Sequence, residues 1–233
     1  MVNLSGFLFT NRSDIANSLA DGWIVNNAEM VNALAGNDVI VGDSSSEEGF
    51  VNEGSIDTGA GKDTISGTCS DSSDEGIYNE GTIDTVAGND TIAGVGGWGI
   101  INVGTIDTGA GKDAITGVGT DLGINNVGTI DTGSGKDIVD ALDGGFFGTG
   151  TTTLGSGKDT LKGFGAGNFD GGAGRDKILF GQGTYVINGG IISSGGVDMN
   201  VNGFESVCGA NSGLLNFQNG TLTVNAAGVG TFA

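Results

Sequence analysis

Residues 108–116 read T-G-A-G-K-D-A-I-T, and the nine before them, 99–107, read G-I-I-N-V-G-T-I-D. The same pair of nine-residue halves fits 49–57 with 58–66, 76–84 with 85–93, and 123–131 with 132–140. The G-x-D turn of the second half recurs at Asp38, Asp63, Asp90, Asp113, Asp137, Asp159 and Asp176, at intervals of 25, 27, 23, 24, 22 and 17 residues. A period of this length predicts one supersecondary unit per repeat, stacked on its neighbours.

Both halves carry an apolar residue at position eight. The second half gives Ile40, Ile65, Ile92, Ile115, Val139, Leu161 and Ile178, and the first gives Val31, Ile56, Ile83, Ile106 and Ile130, then Thr152 and Phe169. Position two of the first half supplies a third file, Val25, Phe50, Ile77, Ile100, Ile124 and Phe146. The residues on either side are mostly Thr, Ser or Asp, so the pattern alternates as in very short strands, with no helical period. Short strands separated by glycine turns at a fixed repeat predict an all-β fold, a parallel β-solenoid of about seven coils. At about 4.8 Å per coil the rod is roughly 34 Å long. Its ends are open sheet edges and need covering. The division expected is an N-terminal cap over 1–24, the solenoid over 25–179, and a β-rich C-terminal cap over 180–233. Residues 13–20 are expected to form a short helix with Asn11 or Ser13 as its N-cap. The runs T-Y-V-I-N, V-D-M-N-V, L-N-F and T-L-T-V in the last segment read as strands.

Composition narrows the chemistry. The chain has 233 residues, 49 glycines, no proline and no histidine, and a net charge of −20. This balance argues against nucleic acid or an anionic membrane as partner and favours cations. No apolar run is long enough to span a bilayer, and Met1 to Phe9 lack the features of a cleavable signal peptide. The absence of histidine removes the usual general base, and no unrepeated carboxylate or lysine cluster stands out, so an enzyme is not expected. Cys69 and Cys208 stand in unlike contexts, which leaves both a bridge and two free thiols open.

The turn T-G-A-G-K-D folds its carbonyl oxygens inward around glycines. Calcium takes six to eight oxygens, commonly carboxylates and backbone carbonyls, and two stacked turns could supply them. Unpaired carboxylates about 5 Å apart repel by roughly 0.8 kcal/mol per pair in water and about 3 kcal/mol at an effective dielectric of 20, and a divalent ion reverses the sign. Magnesium fits less well, and zinc lacks its ligands.

The segments T-G-A-G-K-D-T-I-S (58–66), T-G-S-G-K-D-I-V-D (132–140) and G-G-A-G-R-D-K-I-L (171–179) resemble the RTX, or hemolysin-type, calcium-binding nonapeptide. The resemblance covers roughly residues 25–179. It implies a parallel β-roll or solenoid with Ca2+ between successive turns, and secretion by a type I exporter through an uncleaved C-terminal signal. The seven aspartates named above would be the carboxylate ligands. Carbonyls at positions one, three and five, such as those of Thr108, Ala110 and Lys112, would complete the sites. The chain departs from the family where the first half carries N-x-G instead of G-x-D, which confines calcium to one side of the rod. Leu34 and Val86 also replace the second-position glycine, and inserts follow the second half at 42–48, 67–75, 94–98, 117–122 and 141–144. The inserts read as solvated loops at one corner, with Trp98 exposed.

Asn27, Asn52, Asn79, Asn102 and Asn126 read as a structural asparagine ladder. Asp57, Asp84, Asp107 and Asp131 read as surface partners of Lys62, Lys112, Lys136, Lys158 and Arg175. The preferred expectation is a secreted, calcium-stabilised structural or surface-binding module, with an extracellular polysaccharide as candidate partner. The alternatives are a polysaccharide lyase or epimerase, a self-associating surface-layer or filament subunit, and an ice-binding protein built on the file Ser55, Thr82, Thr105, Thr129 and Thr151.

Overall fold

A computed structural model describes residues 1–18 and 20–233. The chain winds as a parallel β-solenoid whose described strands form three sheets of 15, 12 and 6 strands. One coil shows the plan. Thr91–Asn102 belongs to the first sheet, Thr105–Asp107 to the second, and the two-residue strand Ala110–Gly111 to the third. The next coil repeats this in register, so that Ile92 lies beside Ile115, Ile106 beside Ile130, and Ala110 beside Ser134.

The apolar files are the core. Ile40, Ile65, Ile92, Ile115, Leu161 and Ile178 are fully buried, as are Ile56, Ile83, Ile106 and Ile130 opposite them. Alternation places their Thr, Ser and Asp neighbours outward. Each coil buries few side chains, so polar ladders carry part of the cohesion. The Asn52 amide donates to Asn79 Oδ1 at 2.7 Å, Asn79 to Asn102 at 2.7 Å, and Asn102 to Asn126 at 2.9 Å. The Asn126 amide then donates to the Thr152 hydroxyl at 3.2 Å, which explains a buried threonine in an isoleucine file.

Four sequence expectations are corrected. Ile15–Ser18 is a strand, not part of a helix, and pairs parallel with Val39–Ser44. Ala16 lies beside Ile40 there, so the solenoid frame begins before residue 25; Leu19 falls outside the described residues. In the first coil the partner of Phe50 is Trp23, and Val25 stands beside Asn52. Asn27 is exposed and outside the ladder. The reason is a longer corner: Val25 precedes Val31 by six residues, whereas Asn52 precedes Ile56 by four. Glu29 holds that corner by accepting from the Asn26 backbone N–H at 2.9 Å. The inserts 94–98 and 117–122 are not loops. They continue as strand through Thr91–Asn102 and Ala114–Asn126, with one bulge between Gly96 and Trp98. This requires glycine at a close approach of backbones, since a Cβ on Gly94 would run into the Gly99 carbonyl. Trp98 is only half-exposed, between Glu75 and Leu122. Finally, the outward aspartates make no ion pairs with the repeat lysines. Among the described residues the only pairs are Met1–Glu47 and Lys162–Asp140. Asp84, Asp107 and Asp131 instead accept the backbone N–H two residues on, from Val86, Gly109 and Gly133, and so fix the start of each turn.

The C-terminal runs are strands, as expected. Gly183–Asn188, Ile191–Ser194 and Val197–Asn202 form an antiparallel meander that extends the second sheet, and Gly220–Val224 pairs beyond it. Phe180 stacks on Tyr185 at 4.3 Å where the cap meets the rod. Cys69 and Cys208 are buried and free. Their strands are six ladder steps apart in the first sheet, about 29 Å, far beyond bridging distance.

Leu34 and Val86 adopt φ of 71° and 58°, the left-handed conformation of Gly59 at 80° and Gly109 at 77° in the equivalent turns. Both side chains are largely exposed, so they gain little burial in return. The αL penalty of about 1–2 kcal/mol exceeds the unfolded-state entropy that glycine adds, about 0.4–1 kcal/mol. Leu34→Gly and Val86→Gly should therefore each stabilise the protein by roughly 0.5–1 kcal/mol, read as a higher urea midpoint at unchanged slope; a lower midpoint would contradict this account of the turns.

Candidate metal centre

The seven repeat aspartates stand in one file inside the rod, each between a third-sheet turn and the first-sheet strand that follows it. None is more than 1% exposed. The backbone N–H of each Asp donates to the carboxylate of the Asp one coil later: Asp38 to Asp63 Oδ1 at 2.8 Å, Asp90 to Asp113 at 2.8 Å, Asp113 to Asp137 at 2.9 Å, and Asp159 to Asp176 at 2.7 Å. All seven Oδ2 atoms are buried without a hydrogen-bond partner. The hydroxyls of Thr58, Thr85, Thr108 and Thr132 flank the file: those of Thr85, Thr108 and Thr132 reach a carbonyl of the next coil at 3.3, 3.4 and 3.1 Å, while that of Thr58 has no partner of its own. The turns therefore engage one carboxylate oxygen per coil and leave the other dry and unpaired, which is expensive for a charged group.

Two more acids continue the file, and the sequence reading missed both. Asp14 donates its N–H to Asp38 Oδ1 at 2.8 Å, and Glu205 Oε2 accepts from the Asp176 N–H at 2.7 Å. The signal was present in weaker form: Asp14-Ile15-Ala16 and Glu205-Ser206-Val207 keep the spacing of acid, any residue and buried apolar residue, without the glycines.

Burial is the main influence on these carboxyls, and it raises them all, Asp137 to about 7 and Asp90 and Asp176 to about 6. The N–H donated from the preceding coil works against burial, as do the hydroxyls of Thr58, Thr85, Thr108 and Thr132 at Asp63, Asp90, Asp113 and Asp137, and neighbouring carboxylates add to burial at Asp38, Asp90, Asp137 and Asp176.

The donors suit a hard cation in chemical type, one free carboxylate oxygen per coil in a dry column. The carboxylates stand in line and do not converge: among the described residues no three acidic or Cys side chains share a point. A cation between coils would draw on two carboxylates, and the turns would have to supply the rest. Of the expected carbonyl ligands, that of Thr108 already accepts the Thr85 hydroxyl at 3.3 Å. Ala110 lies in the third sheet, its N–H bonded to the Val86 carbonyl at 3.0 Å, and Lys112 is exposed with its N–H on Asn89 Oδ1. The Thr108 carbonyl keeps a second lone pair, and the bonds of Ala110 and Lys112 are made by their N–H groups, so these bonds do not remove any of the three carbonyls as a ligand.

The fold and the buried file together define a parallel β-solenoid repeat protein with an internal aspartate ladder. No protein-family model matches the chain, and neither a curated protein nor a solved structure is detectably similar to it. Among the described residues no helix is long and apolar enough to cross a membrane.

The raised carboxyls fix a pH dependence. In the unfolded chain an Asp titrates near 3.9. The native file holds its protons to higher pH, so the native state binds more protons between about pH 4 and pH 7 and stability falls as pH rises through that window. Metal-free protein should accordingly have a higher thermal midpoint at pH 4.5 than at pH 8, and Asp137→Asn should flatten the difference; a midpoint that rises with pH in chelator would refute the assignment.

Proposed function

We propose that this chain is an RTX-like, calcium-stabilised β-solenoid that acts outside the cell as a structural or surface-binding module. One observation carries the reading: seven fully buried carboxylate oxygens, one per coil, with no hydrogen-bond donor. At neutral pH such a column needs protons or cations, and Ca2+ supplies two charges with a preference for carboxylate and carbonyl oxygen. Asp38, Asp63, Asp90, Asp113, Asp137, Asp159 and Asp176 would hold it, aided by carbonyls such as those of Thr108, Ala110 and Lys112. Bound to the folded chain and not to the unfolded one, calcium adds directly to stability. That linkage suits a protein exported unfolded from a low-calcium cytosol, by a type I route, and folded outside. The outward face of the second sheet, with its rows of Ser55, Thr82, Thr105 and Thr129 beside Asp57, Asp84, Asp107 and Asp131, is the regular surface open to a partner such as an extracellular polysaccharide.

The deciding measurement is far-UV circular dichroism at pH 8 during calcium titration of chelator-treated protein. The expected result is a gain of β signal and a rise in thermal midpoint, smaller with magnesium. Full folding in excess chelator at pH 8, with no response to calcium, would overturn the proposal. Folding in chelator at pH 5 but not at pH 8 agrees with it, because protons then neutralise the file in place of the ion.

A further inference from the structure

We propose that Glu205, in the C-terminal cap and outside every repeat, is the last ligand of the file, and that a divalent cation binds between it and Asp176. The inference rests on the calcium reading above and adds one site to those the repeats define. The strand after Glu205, Ser206–Gly209, pairs parallel with Lys177–Phe180 and sets Val207 beside Ile178. Glu205 is therefore placed to Asp176 as Asp176 is to Asp159, and it accepts the Asp176 N–H at 2.7 Å as Asp176 accepts that of Asp159. Asp176 itself is fully buried, with an Oδ2 that has no partner. The second carboxylate oxygen of Glu205 accepts no hydrogen bond among the described residues, and Glu205 is exposed. It opens on a recess of about 410 Å³ lined also by Arg175, Lys177 and Asn216. Neither base forms an ion pair with it among the described residues.

The other end of the file is built differently. Asp14 Oδ2 takes two donors from within the chain, the Thr10 N–H at 2.6 Å and the Thr10 hydroxyl at 2.9 Å. Those two donors tie the Asp14 carboxylate to its own segment through Oδ2, and no ion is assigned to it.

Glu205→Gln tests the site, because the amide oxygen can still accept the Asp176 N–H while the charge is gone. Bound calcium per folded chain, measured by equilibrium dialysis and elemental analysis, should be one lower in Glu205→Gln than in the parent, and Asp14→Asn should leave the count unchanged. Equal counts in parent and Glu205→Gln would overturn the inference while leaving the calcium reading intact; no bound calcium in the parent would overturn both. Amide hydrogen exchange of the parent gives a second measure that does not depend on the variant folding. Calcium should slow exchange at Ser206–Gly209 together with Lys177–Phe180, and unchanged exchange at Ser206–Gly209 while the repeats are protected would also overturn it.

Discussion

The hydrogen bond from the backbone N–H of one aspartate to the carboxylate of the next is the constraint on which the rest of the molecule depends. It is made once per coil, inside the rod, and it needs an acid of the right length one coil on. It thereby sets the register of the whole stack at a single point. The corners can then vary freely, and they do: successive aspartates are separated by as few as 17 and as many as 27 residues, yet Ile meets Ile and Asn meets Asn across every interval from the third coil to the fifth. The same bond creates the chemical problem of the fold. It places seven carboxylates where water cannot reach and provides for only half of each. Neutralising the other half, by proton or by cation, is a condition of stability at the pH where it is needed.

The periodic part of this arrangement was legible in the sequence. The seven aspartates, the two isoleucine files and the asparagines at Asn52, Asn79, Asn102 and Asn126 recur with fixed neighbours, and residues that recur at fixed positions in a stacked repeat must meet their own kind. Pattern failed where the structure is carried by something other than recurrence. The first corner is two residues longer, so in the first coil Trp23 stands in the file of Phe50 and Val25 in that of Asn52, where the pattern puts Val25 and Asn27. The inserts 94–98 and 117–122 carry turn-like glycines, but those glycines serve the close approach of two backbones, which a sequence does not distinguish from a bend. Asp14 and Glu205 lack the glycine frame altogether, and only the ladder itself reveals that they end the file.

Leu34 and Val86 show how firmly that ladder governs local structure. A branched or bulky side chain disfavours positive φ, yet both residues adopt it, because the coils on either side already fix where the turn must go. The strain is absorbed by neighbours that keep glycine. A repeat array can tolerate isolated lapses of this kind, since each coil is restrained from two sides.

The aspartate bonds also have a direction. Every carboxylate of the file accepts from the coil before it, so the amide of each of these aspartates is satisfied by an acid that comes after it in the chain. A chain leaving a ribosome or a membrane channel N-terminus first would always have one unfinished turn at the boundary, whose amide awaits an acid still to emerge. Only Glu205 ends that sequence of debts. The rod is in this sense written to be read backwards: its last-made residues are the first that can close without waiting for another.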